Sequence, residues 1–166
     1  MSSVFQGIEK AEVFGAGIRI TPGRHRLQIA ELTTHRSRKN GSVFFIVEAI
    51  VQASEGGRPL SAREVPAETP VPKSEPLRVG DKVSWLVDLS KPSGLSNVKG
   101  FALALAPDMS ESDVTEAAMI AMINNDPARG VVQPCAGIVV DCDAFAIITR
   151  EKGNDFVQIG WSAVSA

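Results

Sequence analysis

His25-Arg26-Leu27-Gln28-Ile29-Ala30-Glu31-Leu32, then Thr33-Thr34-His35-Arg36-Ser37-Arg38-Lys39-Asn40-Gly41, then Ser42-Val43-Phe44-Phe45-Ile46-Val47-Glu48-Ala49-Ile50-Val51 read as strand, basic loop, strand. Two apolar-rich runs flank a segment of cations and turn formers. That segment ends in Asn-Gly, a strong hairpin signal. A solvated turn and a phosphate-holding sheet edge are both open readings of such a loop.

In the first run His25, Leu27 and Ile29 fall on one face, with Arg24, Arg26 and Gln28 on the other. Leu27 and Ile29 are expected in the core, so Arg24 and Arg26 should extend the positive surface beside the loop. His25 is expected as a partly buried strand histidine. The second strand, Val43–Gln52, is apolar on both faces and is interrupted on one by Glu48. A strand buried on both sides and a strand with one binding face both give this pattern. Phe44 is out of phase with the core positions and stands beside the loop.

Upstream, the first twenty residues are weakly patterned and read as a lead-in, closed by a turn at Thr21-Pro22-Gly23. Downstream, Pro59, Pro66, Pro70, Pro72 and Pro76 make residues 54–77 an irregular loop or excursion. Val83, Trp85, Val87 and Leu89 then alternate as a half-buried third strand. Ser96 is expected to cap a helix through Ala106, with Val98, Phe101, Ala102 and Leu105 on one face, stopped by Pro107. Ser110-Glu111-Ser112-Asp113 is expected to start a second helix with Val114, Ala117, Ala118, Ala121 and Met122 as its buried stripe. Asn124-Asn125-Asp126-Pro127 would end it. Residues 137–149 and 156–164, joined by Arg150–Asp155, read as a closing hairpin.

The expectation is therefore one mainly β domain over residues 1–166. Its order matches a five-stranded barrel of the oligonucleotide/oligosaccharide-binding (OB) kind, with two helices between the third and fourth strands. Small α+β domains share that order.

The net charge of −2 gives no global sign of a polyanion partner. Residues 1–41, however, hold seven Lys/Arg against three Asp/Glu, leaving +4 there and −6 in the rest. A local patch of that kind can bind a polyanion on an acidic protein. There is no apolar run of membrane-spanning length and no leader, so no membrane association is expected. Cys135 and Cys142 are not expected to bridge, which points to a reduced, cytoplasmic setting. No catalytic constellation, phosphate loop or zinc-type cysteine set is present, so neither enzyme activity nor a cofactor is expected. Asp141 and Asp143 share a strand face and, with Glu48, form a less favoured metal-nuclease alternative.

Single-stranded nucleic acid is held by cations tracking the backbone and aromatic faces stacking on bases. Arg24, Arg26, His35, Arg36, Arg38 and Lys39 form the candidate patch, and Phe44 is the stacking candidate. Trp85 and Trp161 are in phase with core positions. The absence of tyrosine thins the supply of stacking residues.

Phe44-Phe45-Ile46-Val47-Glu48, Val79-Gly80-Asp81-Lys82-Val83-Ser84-Trp85 and Asn97-Val98-Lys99-Gly100-Phe101 resemble spaced segments of bacteriophage single-stranded-DNA-binding proteins with OB barrels. The likeness spans roughly residues 20–165 and its motifs are short. It implies a non-catalytic protein coating strands exposed in phage DNA replication or recombination. Many such proteins end in an acidic partner-recruiting tail, whereas this chain ends Trp161-Ser162-Ala163-Val164-Ser165-Ala166, so recruitment through such a tail is not expected. Single-stranded DNA is the expected partner, with RNA and self-association left open. The alternative is a phage structural, assembly or protein-interaction module, motivated by the proline-rich excursion and the two-sided apolar strand.

Overall fold

Alternation of apolar residues over His25–Ile29 and Val43–Val51 produces a long antiparallel pair at the centre of the molecule. The structure, a computed structural model, describes residues 18–60, 72–123, 133–147 and 156–164. Six strands are present: β1 (Ile18–Arg19), β2 (Gly23–Arg36), β3 (Val43–Glu55), β4 (Lys82–Asp88), β5 (Val139–Ile147) and β6 (Phe156–Ala163). They form one curled sheet in the order β1-β4-β3-β2-β5-β6. Every pairing is antiparallel except the parallel contact of β1 with β4. The five expected strands are thus joined by a two-residue sixth, and the fold is mainly β and OB-like.

The strand after the first turn runs further than the sequence suggests. Thr33 to Arg36, expected in the loop, continue β2 by pairing with Val43 to Ile46. Threonine favours extended backbone, and the apolar partner strand supplies the ladder. The loop proper is confined to residues 37–42, where Ser37 donates its N–H to the Ser42 carbonyl at 2.7 Å. Gly41 takes φ +73° there, a left-handed conformation that glycine adopts without steric cost.

Leu27, Ile29, Leu32, Phe45, Val47, Ala49, Val51, Val83 and Val140 are essentially inaccessible and form the core with Phe101. Each large aliphatic or aromatic side chain there contributes about 1.5–3 kcal/mol by burial. Helix α1 (Pro92–Leu105) lies across the curl and packs most heavily on β6. Its stripe of Val98, Phe101, Ala102 and Leu105 is buried as expected. Its start is not at Ser96. Lys91 is the N-cap, Pro92 takes the first turn where no N–H is needed, and Ser96 Oγ bonds back to the Pro92 carbonyl at 3.2 Å. Gly94 is buried against the Asp88 carbonyl, which any Cβ at that position would strike.

Ser110 and Asp113 do form a capping box, but it closes only a 3-10 turn, Glu111–Asp113. Helix α2 (Glu116–Ile123) restarts at Thr115, whose Oγ1 accepts the Ala118 N–H at 3.2 Å. The break changes the phase of the apolar stripe. Met119, Met122 and Ile123 pack on the core, while Ala117 and Ala121 are exposed.

Ser54 and Glu55 belong to β3, and the ends of the proline-rich excursion are tied together rather than loose. Pro59 and Lys73 form an isolated bridge, Gly57 N–H meets Ser74 O at 2.7 Å, and Ser74 N–H meets Arg58 O at 2.6 Å. Residues 1–17 of the amino-terminal lead-in, the centre of the excursion, the Asn124–Pro127 stop and the Arg150–Asp155 turn lie outside the described residues. Among the described residues no helix is long and apolar enough to cross a membrane.

β2 serves two partners for only part of its length. It pairs with β5 from Gly23 to Gln28 and with β3 from Arg24 to Arg36, with register shifts at Arg26/Leu27 and Ile29/Glu31. At the second shift Gln133, itself buried at φ +51°, accepts the Leu32 N–H through Oε1 at 2.7 Å. Beyond Leu32 no strand pairs that edge of β2 among the described residues.

Candidate nucleic-acid interface

The seven candidate residues separate into two groups. Arg36, Arg38 and Lys39 are exposed at the tip of the β2–β3 hairpin. The tip supports itself: Arg36 Nη1 donates to the Gly41 carbonyl at 3.2 Å and the Ser42 N–H donates to Asn40 Oδ1 at 3.0 Å. His35 is exposed and pairs across the ladder with Phe44, which is half-buried. Phe44 points away from the core, out of phase with buried Phe45 and Val47 as expected.

Arg24 and Arg26 are not beside that loop. They sit at the other end of β2, and the ten residues from Arg26 to Arg36, at about 3.3 Å each, correspond to roughly 33 Å of strand. Treating Thr33–Arg36 as loop rather than strand hid that distance. Arg26 is also bound in place: its Nε donates to Asp141 Oδ1 at 2.8 Å and its Nη2 to Oδ2 at 3.2 Å. That bond raises the guanidinium pKa above its ordinary value. Arg24 faces Glu55 and Asp143 in the ladder. A surface depression of about 410 Å³ here is lined by Arg24, Arg26, Glu55, Asp141 and Asp143. Acids outnumber arginines in that set, so this end of the strand does not concentrate positive potential.

Asp141 and Asp143 share the outer face, as their spacing requires. Asp141 is held by Arg26 and Asp143 by Arg58, so a cation placed between them would have to displace both arginines. Glu48 lies elsewhere, buried and paired with Lys82 at 3.0 Å. Its ladder partner Glu31 is pushed above the ordinary carboxyl range by its own burial and by the neighbouring Glu48.

His25 is buried and accounted for within the core. Its Nε2 lies 2.7 Å from the Thr21 carbonyl, which can only accept, so Nε2 carries the proton. Nδ1 then accepts the Ser54 hydroxyl at 2.8 Å. Burial lowers the histidine's pKa, which keeps this neutral tautomer in place.

The outer face of the second strand, open in sequence as a binding face, extends onto β4, which the sequence reading did not foresee. Ile46 pairs with Leu86 of β4 next to Phe44, and Leu86 is 40% exposed. The available signal was Leu86 itself, an apolar residue in phase with Lys82, Ser84 and Asp88. Phe44, Ile46 and Leu86 thus make an apolar strip running from the basic tip across β3 onto β4. Trp85 and Trp161 face inward. Their rings lie 5.0 Å apart, with Phe101 at 5.6 and 4.8 Å from them.

Comparison of the chain with protein-family models, with curated proteins and with solved structures gave no match.

Proposed function

We propose that this chain is a non-catalytic single-stranded-DNA-binding protein of low sequence preference. The carrying observation is the junction of the exposed Arg36, Arg38 and Lys39 with the outward Phe44 and its apolar strip. In OB-like barrels oligonucleotides cross the second and third strands beside the loop joining the first two. The corresponding parts here are β3, β4 and the β2–β3 tip. Cations at the tip hold phosphates, and Phe44 stacks on a base. His35 lies beside that ring, and Arg24 and Arg26 take a lesser part at the far end of the strand. The resemblance noted above supports a role in protecting strands exposed in phage replication or recombination, in the cytoplasm of the host.

Fluorescence anisotropy with labelled oligonucleotides across a salt series tests this reading. Salt-sensitive binding is expected, and none at low ionic strength ends the proposal. Replacing Arg36, Arg38 and Lys39 by Ala should flatten the log–log salt slope by about two, since each phosphate contact on a single strand contributes roughly 0.7. Competition with an RNA of the same sequence measures the choice between DNA and RNA.

A protein-interaction module is the second reading, favoured by an apolar groove of about 540 Å³ between α1 and α2. Sedimentation separates the two readings, because a DNA-independent assembly without oligonucleotide binding supports the module alone.

A further inference from the structure

Helix α2 reads Glu116-Ala117-Ala118-Met119-Ile120-Ala121-Met122-Ile123, apolar at every position after the first. A helix that is apolar all round is normally buried all round. Yet none of its residues is fully buried, and Ile120 is 57% exposed. Facing it across the groove, α1 exposes Leu95 to 56%. The charges flanking the two hydrophobes are opposite. Lys91, Leu95 and Lys99 follow at steps of four and share one stripe at the start of α1. Glu116 and Ile120, also four apart, share a stripe of α2. Lys99 and Glu116 both line the groove, and neither is in an ion pair among the described residues.

We propose that this pair of rims is the contact surface of a homodimer, α1 of one copy lying on α2 of the other. A two-fold axis sets Leu95 and Lys99 of one chain against Ile120 and Glu116 of its partner, and the same operation makes the reverse contact. The surface is self-complementary in sign and in apolar character. An acidic amphipathic peptide would match the lysine rim but be repelled by Glu116, and a basic one would fail in the opposite way. A second copy satisfies both rims. The proposal does not depend on the DNA-binding reading.

Sedimentation velocity of the full chain over a range of concentrations, without nucleic acid, tests it. The expected result is a concentration-dependent monomer–dimer equilibrium. Ile120→Glu should leave only monomer. Lys99→Glu and Glu116→Lys should each weaken the dimer by on the order of tenfold, because each contact occurs twice. The double exchange Lys99→Glu/Glu116→Lys should restore it. Ile120 is more than half exposed, so the variant should fold, and circular dichroism melting of each variant checks this. A monomer at every concentration overturns the proposal, as does a dimer indifferent to Ile120→Glu. So does a double exchange no tighter than either single one.

Discussion

Trp85 and Trp161 lie with ring centroids 5.0 Å apart although β4 and β6 stand on opposite sides of the β3-β2-β5 centre of the sheet. The sheet must therefore curl until its two flanks face one another, and Phe101 of α1 fills the seam. Phe101 is fully inaccessible and meets Phe45, Trp85 and Trp161. Phe101→Ala should cost about 3–5 kcal/mol, as aromatic-to-alanine core changes do. Urea unfolding followed by tryptophan fluorescence measures it, and a loss below 1 kcal/mol would mean the seam is not a closure.

The two ends of β2 should behave differently in binding experiments. Arg26 is engaged by Asp141, so Arg26→Ala should change the salt dependence of oligonucleotide binding far less than Arg38→Ala does. Its stability cost should also be small, as solvent screens an exposed ion pair. Equal effects of the two substitutions on the salt slope would show that Arg26 leaves Asp141 to meet phosphate.

Glu31 carries a pH dependence with a definite sign. Its pKa is raised in the folded chain, so between the unfolded and the folded pKa the folded state holds more of this proton than the unfolded chain does. Stability from this group is complete below the ordinary glutamate pKa of about 4.3 and falls as pH rises through the higher folded value. Glu31→Gln should remove that decline and be the more stable protein at pH 7. Thermal unfolding at several pH values between 4 and 7 checks it. A variant less stable than the parent at pH 7 would contradict the cost of burying the Glu31 charge beside Glu48.

The thiols should be inert in the native chain. Burial pushes the Cys142 thiol up to about 12 and also raises that of Cys135. Both cysteines are free, and the thiolate is the reactive form. A colorimetric thiol reagent at pH 8 should label neither until denaturant is added, when both should react. Prompt labelling of one in buffer would place it at the surface.

Gln133 supports β2 beside its second register shift by accepting the Leu32 N–H. Gln133→Ala leaves that N–H without its acceptor, at a cost of about 1–3 kcal/mol. Amide exchange at Leu32 should accelerate more than at Leu27, and equal protection would show that another group takes over.

The main architecture was legible because its cause is periodic. Val83, Trp85 and Val87, and Val98, Phe101 and Leu105, carry the periods of strand and helix in their own spacing. What was hidden depends on contacts distant in sequence. Nothing local to Arg26 announces Asp141, 115 residues away, and nothing near Gln133 announces Leu32. Thr115 was overshadowed by the stronger capping pattern at Ser110, which proved to close only one turn. The basic tip was visible as composition, whereas its separation from Arg24 and Arg26 required the true length of β2.

The β5 ladder on β2 ends at Gln28, Ile29 and Leu32 are met by Ile138, Gly137 and Gln133, and among the described residues no strand pairs that edge from Thr33 to Arg36. Such an edge is a template for strand addition by another chain, and like charges along it oppose that event. The cations of the tip stand where like charge would oppose pairing of that edge between two copies. A chain stripped of Arg36, Arg38 and Lys39 would lose a solubility device along with its proposed grip on phosphate.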